Sequence, residues 1–291
     1  MQQVNILVVE NPVFKSAQER MSGILRYSAT KPNWAVRTIN PHIHDPAMLK
    51  RLTANPARID GIIGYSRTLA ARGFCSLSQL RGIPTVAMEV PRGVSPCPRK
   101  DLILAVDNAA IAQAAADRFA QGSLRHFAYV GNDPLRTDVK FDTMHSRRRE
   151  AAFRRAAKAI GATCATYRTR ATDDWTDDLN HLAQWISRLP FPVGIFAFND
   201  QRAQKVVDAC NLAHVTVPDQ VRLIGVDNDV SICENLQPTL TSIQIGFKEG
   251  GYLAAQALDE ILANGHMGGA RRKISCGVMR LVERASTQDL K

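Results

Sequence analysis

The sequence has few aromatic residues and no long apolar run, and both shortages limit what the chain can be. Phenylalanine, tryptophan and tyrosine together make up 6% of its 291 residues. Its apolar runs have the length of single β-strands, far short of the ~20 residues that cross a bilayer. The N-terminal segment MQQVNILVVE has no basic residues ahead of its apolar run, unlike a signal peptide. We therefore expect a cytoplasmic chain without membrane contact.

The cysteines show neither a CxxC pair nor the dense spacing of a disulfide framework. This usage is typical of reduced thiols in the cytoplasm. Cys210 and Cys233 fall within apolar patterns and are expected to behave as small buried hydrophobic residues. The six cysteines are Cys75, Cys97, Cys164, Cys210, Cys233 and Cys276.

Several motifs of cofactor and catalytic sites are missing. No GxGxxG or GxxxxGK[ST] segment follows a predicted strand, which disfavours nucleotide binding through such loops, and no GxSxG nucleophile elbow occurs. The segment PHIHD brings His42, His44 and Asp45 together, but in a strand the two histidines would share one exposed edge with no third ligand. We interpret it as a polar loop, and we expect neither a metal nor a cofactor.

The net charge of +10 raises the question of nucleic-acid binding. The segment RRREAAFRRAAK, residues 147–158, carries six basic residues and one acidic residue, which is half of the excess. Charged helix faces are commonly solvated, and no helix-turn-helix, zinc finger or ribonucleoprotein motif accompanies the charge. Basic charge alone therefore does not predict DNA contact by this chain.

Short apolar runs alternate with amphipathic stretches of helical length. The strands are apolar throughout rather than alternating, which indicates parallel strands covered on both faces by helices, a doubly wound α/β architecture. Their number favours two lobes over one sheet. The predicted strands are 4–9, 34–39, 61–64, 85–87, 102–106, 127–130, 193–198 and 222–226, with an extended segment at 239–245; the predicted helices are 16–29, 109–121, 147–160, 175–188 and 202–212.

Polar residues follow most of these strands, and ligands of open parallel sheets bind beyond the carboxyl ends of the strands. Carboxylates and amides dominate the set, for example Asn199-Asp200 and Asp227-Asn228-Asp229. Such groups form directional hydrogen bonds with hydroxyls, which suits a polyhydroxylated ligand better than a phosphate. Taken singly, each segment is more simply explained as a helix cap or an Asx turn. An enzyme would use Asp200 and Asp227 as paired acid/base carboxylates, but no adjacent nucleophile or metal set supports that interpretation.

The motifs taken in order resemble the sensor domain of the LacI/GalR family of regulators, relatives of periplasmic sugar-binding proteins. The resemblance covers essentially the whole chain and is most specific after Asp107. Two further segments, DDWTDDLNHLAQWISRLPFPVGIFAFND and VERASTQDLK, resemble xylose-responsive regulators that carry a C-terminal AraC-type DNA-binding domain. The motifs that carry the family resemblance are AVDNAAIAQAAADRF, HFAYVGND, RREAAF, GIFAFNDQRAQKVVDAC, VTVPDQVRLIGVDND, PTLTSI, GYLAAQALDEIL and RLVERAST.

The resemblance implies an α/β, two-lobed periplasmic-binding-protein-like fold, with two doubly wound parallel sheets joined by a multi-strand hinge. Residues 1–107 and 242–278 are expected to form the N-terminal lobe, and residues 108–241 and 279–291 the C-terminal lobe. Asp107, Asn108 and Ser242 are expected at the hinge. A DNA-binding domain is expected after residue 291.

The implied function is to sense a sugar, xylose or a related monosaccharide, that binds between the lobes. Closure of the lobes on the sugar would then be transmitted to the DNA-binding domain. The implied partners are a sugar effector, operator DNA through the domain outside this chain, and a second subunit in a homodimer. The chain is not expected to be an enzyme. Two alternatives share the fold: an exported sugar-binding protein and a small-molecule enzyme.

The resemblance places three principal ligand contacts in the second lobe. Arg149 occupies the arginine of the family pattern RxxGF, here REAAF, and would donate a fork of hydrogen bonds, although the neighbouring Arg147 or Arg148 could be the inward residue. Asn199 would donate and accept, and Asp227 would accept from two hydroxyls. His145 stands where relatives often carry a stacking aromatic residue.

In the first lobe, the candidate contacts come from strand ends and are less closely matched. The segment IIGYSRT departs from the corresponding segment of xylose regulators, which leaves open another sugar or the loss of sugar sensing. The first-lobe candidates are Asn11, Ser16, Tyr65, Ser66 and Glu89.

Overall fold

The structure is a computed structural model that describes most of the chain. The described residues are 2–41, 59–65, 82–88, 102–131, 139–168, 175–264 and 272–288, with single positions 43, 47, 51, 54, 68, 69, 74 and 80. Within them, only the backbone is described at 102–105, 139–144, 175 and 272–276.

Strands and helices alternate along the chain as the apolar pattern predicts. In chain order they are β1 (Val4–Val9), α1 (Lys15–Ser28), β2 (Trp34–Ile39), β3 (Gly61–Tyr65), β4 (Thr85–Met88), β5 (Leu102–Val106), α2 (Asn108–Gln121), β6 (His126–Val130), α3 (Val139–Ala159), β7 (Thr163–Tyr167), α4 (Trp175–Ile186), β8 (Val193–Ala197), α5 (Asp200–Leu212), β9 (Val221–Val226), α6 (Val230–Cys233), β10 (Thr241–Ile245), α7 (Phe247–Asn264), β11 (Arg272–Cys276) and β12 (Val278–Val282), followed by a 3-10 turn at Ala285–Thr287.

The chain forms two compact units, Met1–Val106 with Gly246–Cys276 and Asp107–Ile245 with Gly277–Lys291. Each contains one six-stranded sheet, in the orders β11-β5-β4-β3-β1-β2 and β12-β10-β9-β8-β6-β7. All strand pairs are parallel except β10 with β12. The strand order reverses at β1 in the first sheet and at β6 in the second, so each sheet has a switch point at which ligands of such folds bind.

In the first unit, α1 and α7 pack with their backbones in contact. A Cβ atom added to Gly23 would lie 1.8 Å from the carbonyl oxygen of Lys248, and one added to Gly251 would lie 2.0 Å from that of Arg20. Only glycine fits at such a distance. The close approach brings Arg20 of α1 to within 5.5 Å of the ring centre of Phe247 at the start of α7.

In the second unit, an aromatic cluster joins α2, α3, β6 and β8. Phe119, Phe127, Tyr129, Phe153 and Phe196 are 0–1% exposed, and their ring centres lie 5.0–6.4 Å apart. Tilted and stacked pairs at this spacing stabilise a core beyond the burial of their area. The cluster fixes α3 against β6 and β8, whose carboxyl ends carry the candidate site.

The predicted α/β class with doubly wound parallel sheets is confirmed, and the differences lie at edges and boundaries. Strands β7, β11 and β12 were not predicted, and α3 begins at Val139 rather than Arg147. The predicted lobe boundary at residue 242 falls inside β10, because that strand pairs with β9 and β12 of the second unit; the chain passes to the first unit after Ile245 and returns after Cys276.

Candidate ligand-binding site

The carboxyl ends of β6, β8 and β9 lie side by side in the second sheet. Strand β8 pairs in parallel with both β6 and β9. The residues that follow β8 and β9, Asn199 and Asp227, therefore lie at the same edge of the sheet. Asn199 is half-buried and extended, and its Oδ1 accepts a hydrogen bond of 2.9 Å from the amide of Arg202. It is thus the N-cap of α5.

Arg149 lies at this edge, buried on the inward face of α3. Its side chain is 5% exposed, whereas Arg147 is exposed and Arg148 half-buried, so Arg149 is the inward arginine of the basic run. Its guanidinium donates to the backbone carbonyl of Phe198, the residue before Asn199, and its Cζ lies 4.8 Å from the Phe198 ring centre. The arginine is therefore held directly against the segment that carries Asn199.

Asn108 and His145 complete the surroundings of Arg149. The Nε of Arg149 donates to Oδ1 of Asn108 at 3.1 Å, and Nδ2 of Asn108 lies 3.3 Å from Nδ1 of His145. The two residues are 7% and 9% exposed. Asn108, expected at the hinge, thus belongs to the arginine cluster. Asp107 accepts from the amides of Ala109 and Ala110 and caps α2.

Asp227 adopts a backbone conformation that side-chain-bearing residues rarely occupy. Its φ is +103°, and that of Asn228 is +50°. Non-glycine residues at positive φ carry roughly 1–3 kcal/mol of strain and are concentrated at functional sites. The amide of Asp227 donates to the carbonyl of Ile243 at 2.9 Å, which ties this half-buried residue to β10.

Asp200 is the first residue of α5, and its side chain is buried. The side chain is 2% exposed and accepts from the hydroxyl of Ser242 at 2.6 Å and from the amide of Asp229 at 2.7 Å. Burial raises the pKa of Asp200 to about 7, an effect that the hydrogen bonds from Ser242, Asp229 and Cys233 offset only in part. Arg202 is also buried, at 2% exposure.

The raised pKa of Asp200 predicts a decline in stability as pH rises. Because the folded chain holds this proton up to about pH 7 and the unfolded chain releases it near 3.8, the folded state binds more protons between these values. Its contribution to stability is therefore full below pH 3.8 and is lost through pH 7. Substituting Asp200→Asn removes the titration. Urea unfolding at pH 5, 6, 7 and 8 should show the wild type losing stability relative to this variant as pH rises; a constant difference would contradict the assignment.

A second buried polar cluster, centred on Asp178 of α4, was not predicted. Its carboxylate accepts from Tyr167 at 2.9 Å and from Arg202 at 3.0 Å, and Lys205 also donates to it. Burial disfavours the ionised form, but the Arg202 charge and the hydrogen bonds hold the pKa of Asp178 below its usual value. The cluster fixes the first turns of α5 next to Asn199. The sequence signal was present, since Asp178 shares a helix face with the buried Leu182 and Ile186.

In the first unit, a buried ion pair lies at the switch point. Arg20 of α1 contacts Glu10, which follows β1, with an Nε–Oε1 distance of 2.7 Å, and the two side chains are 3% and 0% exposed. The Arg20 Cζ lies 4.7 Å from the ring centre of Tyr65 at the end of β3. Of the candidate residues, Tyr65 thus belongs to this cluster, while neither Glu10 nor Arg20 was chosen from the sequence.

The other first-unit candidates are placed less centrally. Asn11 accepts from Nδ2 of Asn40 at 3.0 Å, and Ser16 is half-buried in the first turn of α1. Ser66 and Glu89 lie outside the described residues, as do His42, His44 and Asp45 of the PHIHD segment.

Residues 116–287 match the family model of the Periplasmic binding protein-like domain. The chain belongs to the periplasmic-binding-protein-like family. The predicted resemblance to LacI/GalR-type and xylose-responsive regulators is confirmed: curated xylose operon regulatory proteins match the chain in sequence, and a solved LacI-type regulator shares its fold.

Among curated proteins, this family member matches the xylose operon regulatory protein of Escherichia coli strain K12 at 29% identity over 186 residues, 63% of this chain and 46% of that protein. The protein of the same description from Haemophilus influenzae is 27% identical over 161 residues, 55% of this chain and 40% of that protein. The matched stretch is thus less than half of either relative.

Solved structures share the two-lobed periplasmic-binding-protein-like fold. A xylose-binding transcription activator superposes with a TM-score of 0.79 at 22% identity, covering 100% of this chain and 71% of that chain. A periplasmic binding protein/LacI transcriptional regulator from Alkaliphilus metalliredigens, complexed with D-xylulofuranose, gives 0.69 at 22% identity and covers 99% of this chain and 100% of that chain.

The two cysteines that were predicted to be buried, Cys210 and Cys233, are fully buried. Among the described residues, no group of three histidine, cysteine or acidic side chains is arranged to hold a metal ion. None of the described helices combines the length and apolar character needed to span a bilayer.

Proposed function

We propose that the chain is the effector-sensing part of a transcriptional regulator and that its effector is a monosaccharide, with xylose the first candidate. The observation that carries this proposal is the arrangement at the carboxyl edge of the second sheet. There, the buried guanidinium of Arg149 is bonded to the carbonyl before Asn199, and Asp227 follows the adjacent strand. A cation, an amide and a carboxylate at one edge can donate to and accept from neighbouring hydroxyls.

In the proposed site, each side chain has one task. Arg149 donates to ligand oxygens, Asn199 uses its amide nitrogen as a donor while Oδ1 caps α5, and Asp227 accepts from two adjacent hydroxyls. His145 lines the site beside Asn108. In the first unit, Asn11, Ser16, Tyr65, Ser66 and Glu89 remain candidate contacts.

The proposed output is a change in an attached DNA-binding domain. A sugar that binds one conformation of the sensor more tightly than another shifts the population towards it. Support for an attached domain comes from the xylose-binding transcription activator, of which this whole chain covers 71%. We propose that this domain lies after residue 291, that Ser242 and Asp107 take part in the conformational change, and that the regulator is a cytoplasmic homodimer without catalytic activity.

Thermal unfolding with a panel of pentoses, hexoses and their phosphates tests this function. A sugar present at 100 times its dissociation constant stabilises the folded state by about 2.7 kcal/mol, which raises Tm by roughly 5–10 °C in a chain of this size. We expect a shift of this order with D-xylose or a related pentose. L-Xylose at equal concentration is the control for nonspecific stabilisation by polyols. If no member of the panel exceeds the L-xylose shift, the proposed function is wrong.

A further inference from the structure

The loop that follows β9 holds two consecutive residues at positive φ, and neither is a glycine. Asp227 has φ +103° and Asn228 has φ +50°. Such a backbone persists only where the surroundings impose it. Three side chains from distant parts of the second unit supply hydrogen bonds to this loop: Ser242, Asp200 and Arg284.

Ser242 of β10 lies at the centre of these contacts and is fully buried. Its Oγ accepts from the amide of Asn228 at 3.0 Å and donates to Oδ1 of Asp200 at 2.6 Å. The other oxygen of Asp200 accepts from the amide of Asp229 at 2.7 Å. One hydroxyl and one carboxyl group therefore bind two successive amides of the loop.

Arg284 reaches the same loop from the C-terminal segment. One of its terminal nitrogens donates to Oδ1 of Asn228 at 3.0 Å, and the other donates to the carbonyl of Leu240 at 3.0 Å. Asn228 is thus fixed through its amide by Ser242 and through its side chain by Arg284.

We propose that Ser242, Asp200 and Arg284 are positioning residues for effector binding, because they hold Asp227 in the conformation that presents its carboxylate to the sugar. This inference rests on the proposed function, in which Asp227 is a ligand contact. None of the three needs to touch the sugar. When the network is weakened, only a fraction of molecules holds the binding conformation, and the apparent dissociation constant rises in inverse proportion to that fraction.

Two buried serines of the second unit offer a matched comparison. Ser286 is 0% exposed, like Ser242, and its Oγ donates to the carbonyl of Leu223 at 2.6 Å and accepts from the amide of Thr241 at 2.8 Å. Each serine thus makes one donated and one accepted bond, but only Ser242 contacts the 227–229 loop. Ser242→Ala and Ser286→Ala should lower Tm by similar amounts. Titration calorimetry with the stabilising sugar should show a dissociation constant at least about tenfold higher for Ser242→Ala than for the wild type. Ser286→Ala should bind with wild-type affinity.

A second pair keeps the test available if the serine variants fold poorly. The side chains of Arg284 and Arg118 are each 12% exposed. Arg284 donates to the backbone carbonyl of Leu240, and Arg118 donates to that of Thr287. Only Arg284 reaches Asn228. Arg284→Gln should weaken sugar binding, and Arg118→Gln should not.

The outcomes separate the two proposals. A wild-type chain that binds no sugar contradicts the proposed function directly, and the positioning role is lost with it. If the wild type binds and both members of each pair bind alike, the proposed function stands and the positioning role is overturned. Amide exchange gives a readout without sugar: the amides of Asn228 and Asp229 should exchange faster in Ser242→Ala than in Ser286→Ala, and equal rates would also overturn the role.

Discussion

Substituting Asp178→Ala is expected to lower the free energy of unfolding of the second unit by about 3–5 kcal/mol. The change leaves Arg202 and Lys205, whose side chains are 2% and 5% exposed, buried without the carboxylate to which both donate. It also removes the nearer of the two acceptors of the Tyr167 hydroxyl, at 2.9 Å, and leaves the backbone carbonyl of residue 178 at 3.3 Å. Removing one member of a buried charge network costs more than the network contributes to stability, because the remaining charges lose a partner and stay buried. This substitution should therefore have one of the largest effects on the free energy of unfolding.

Asp177 is the matched control for this prediction. It is the preceding residue of α4 and is exposed, and it also lies in the first turn of that helix. Its substitution by alanine should cost less than about 1 kcal/mol, the contribution of an exposed acid near a helix N-terminus. Urea unfolding of both variants measures the difference. If both variants lost the same free energy of unfolding, the stabilising role assigned to the buried Asp178 network would be wrong.

Substituting Glu10→Ala is expected to destabilise the first unit by about 3–5 kcal/mol. Arg20 would remain buried beside the rings of Tyr65 and Phe247 after the loss of the Glu10 carboxylate, 2.7 Å from its Nε. The pair also lies at the switch point of the first sheet, so its loss should disturb the end of β1.

The first unit supplies an exposed pair of the same chemistry as the control. Arg26 and Glu249 are 2.8 Å apart, with side chains 48% and 53% exposed. Exposed pairs contribute roughly 0–1 kcal/mol because water screens them. Glu249→Ala should therefore leave the unfolding midpoint nearly unchanged. If Glu249→Ala destabilised the first unit as much as Glu10→Ala, burial would not explain the effect of removing Glu10.

The fold could be predicted because its main signals are local. Apolar runs such as 193–198 mark buried parallel strands, and the helices between them follow a 3.6-residue period. The strands that were missed lack this signal. Strand β12 is exposed at Met279 and Arg280 and lies at a sheet edge, and β7 lies at the opposite edge with only Tyr167 fully buried.

The candidate site was predictable only in part, because its partners are distant in sequence. The strand-end rule and the family resemblance pointed to Asn199 and Asp227. Asp200 is hydrogen-bonded by Ser242, 42 residues away, and Asp178 by Arg202, 24 residues away. The helix face of Asp178 indicated that it is buried, but no local pattern indicates either partner. Glu10 and Arg20 were within reach of sequence reasoning, since Arg20 shares a helix face with the buried Ala17 and Ile24.

Asp227 is the proposed acceptor of the sugar hydroxyls, and its neighbour Asp229 provides a control. Asp229, two residues away, accepts instead from the amide of Ser231 and caps α6. Asp227→Ala should remove a charge-assisted contact and weaken sugar binding at least about 100-fold, because each tenfold loss corresponds to only 1.4 kcal/mol. Asp229→Ala should reduce stability by about 1 kcal/mol through the lost cap while leaving affinity unchanged.

Titration calorimetry of the wild type and these two variants, with the sugar that gives the largest thermal shift, is the most direct test. Binding of similar affinity is expected for the wild type and Asp229→Ala, and binding at least about 100-fold weaker for Asp227→Ala. Wild-type affinity in a folded Asp227→Ala variant would contradict the role of Asp227 as a ligand contact.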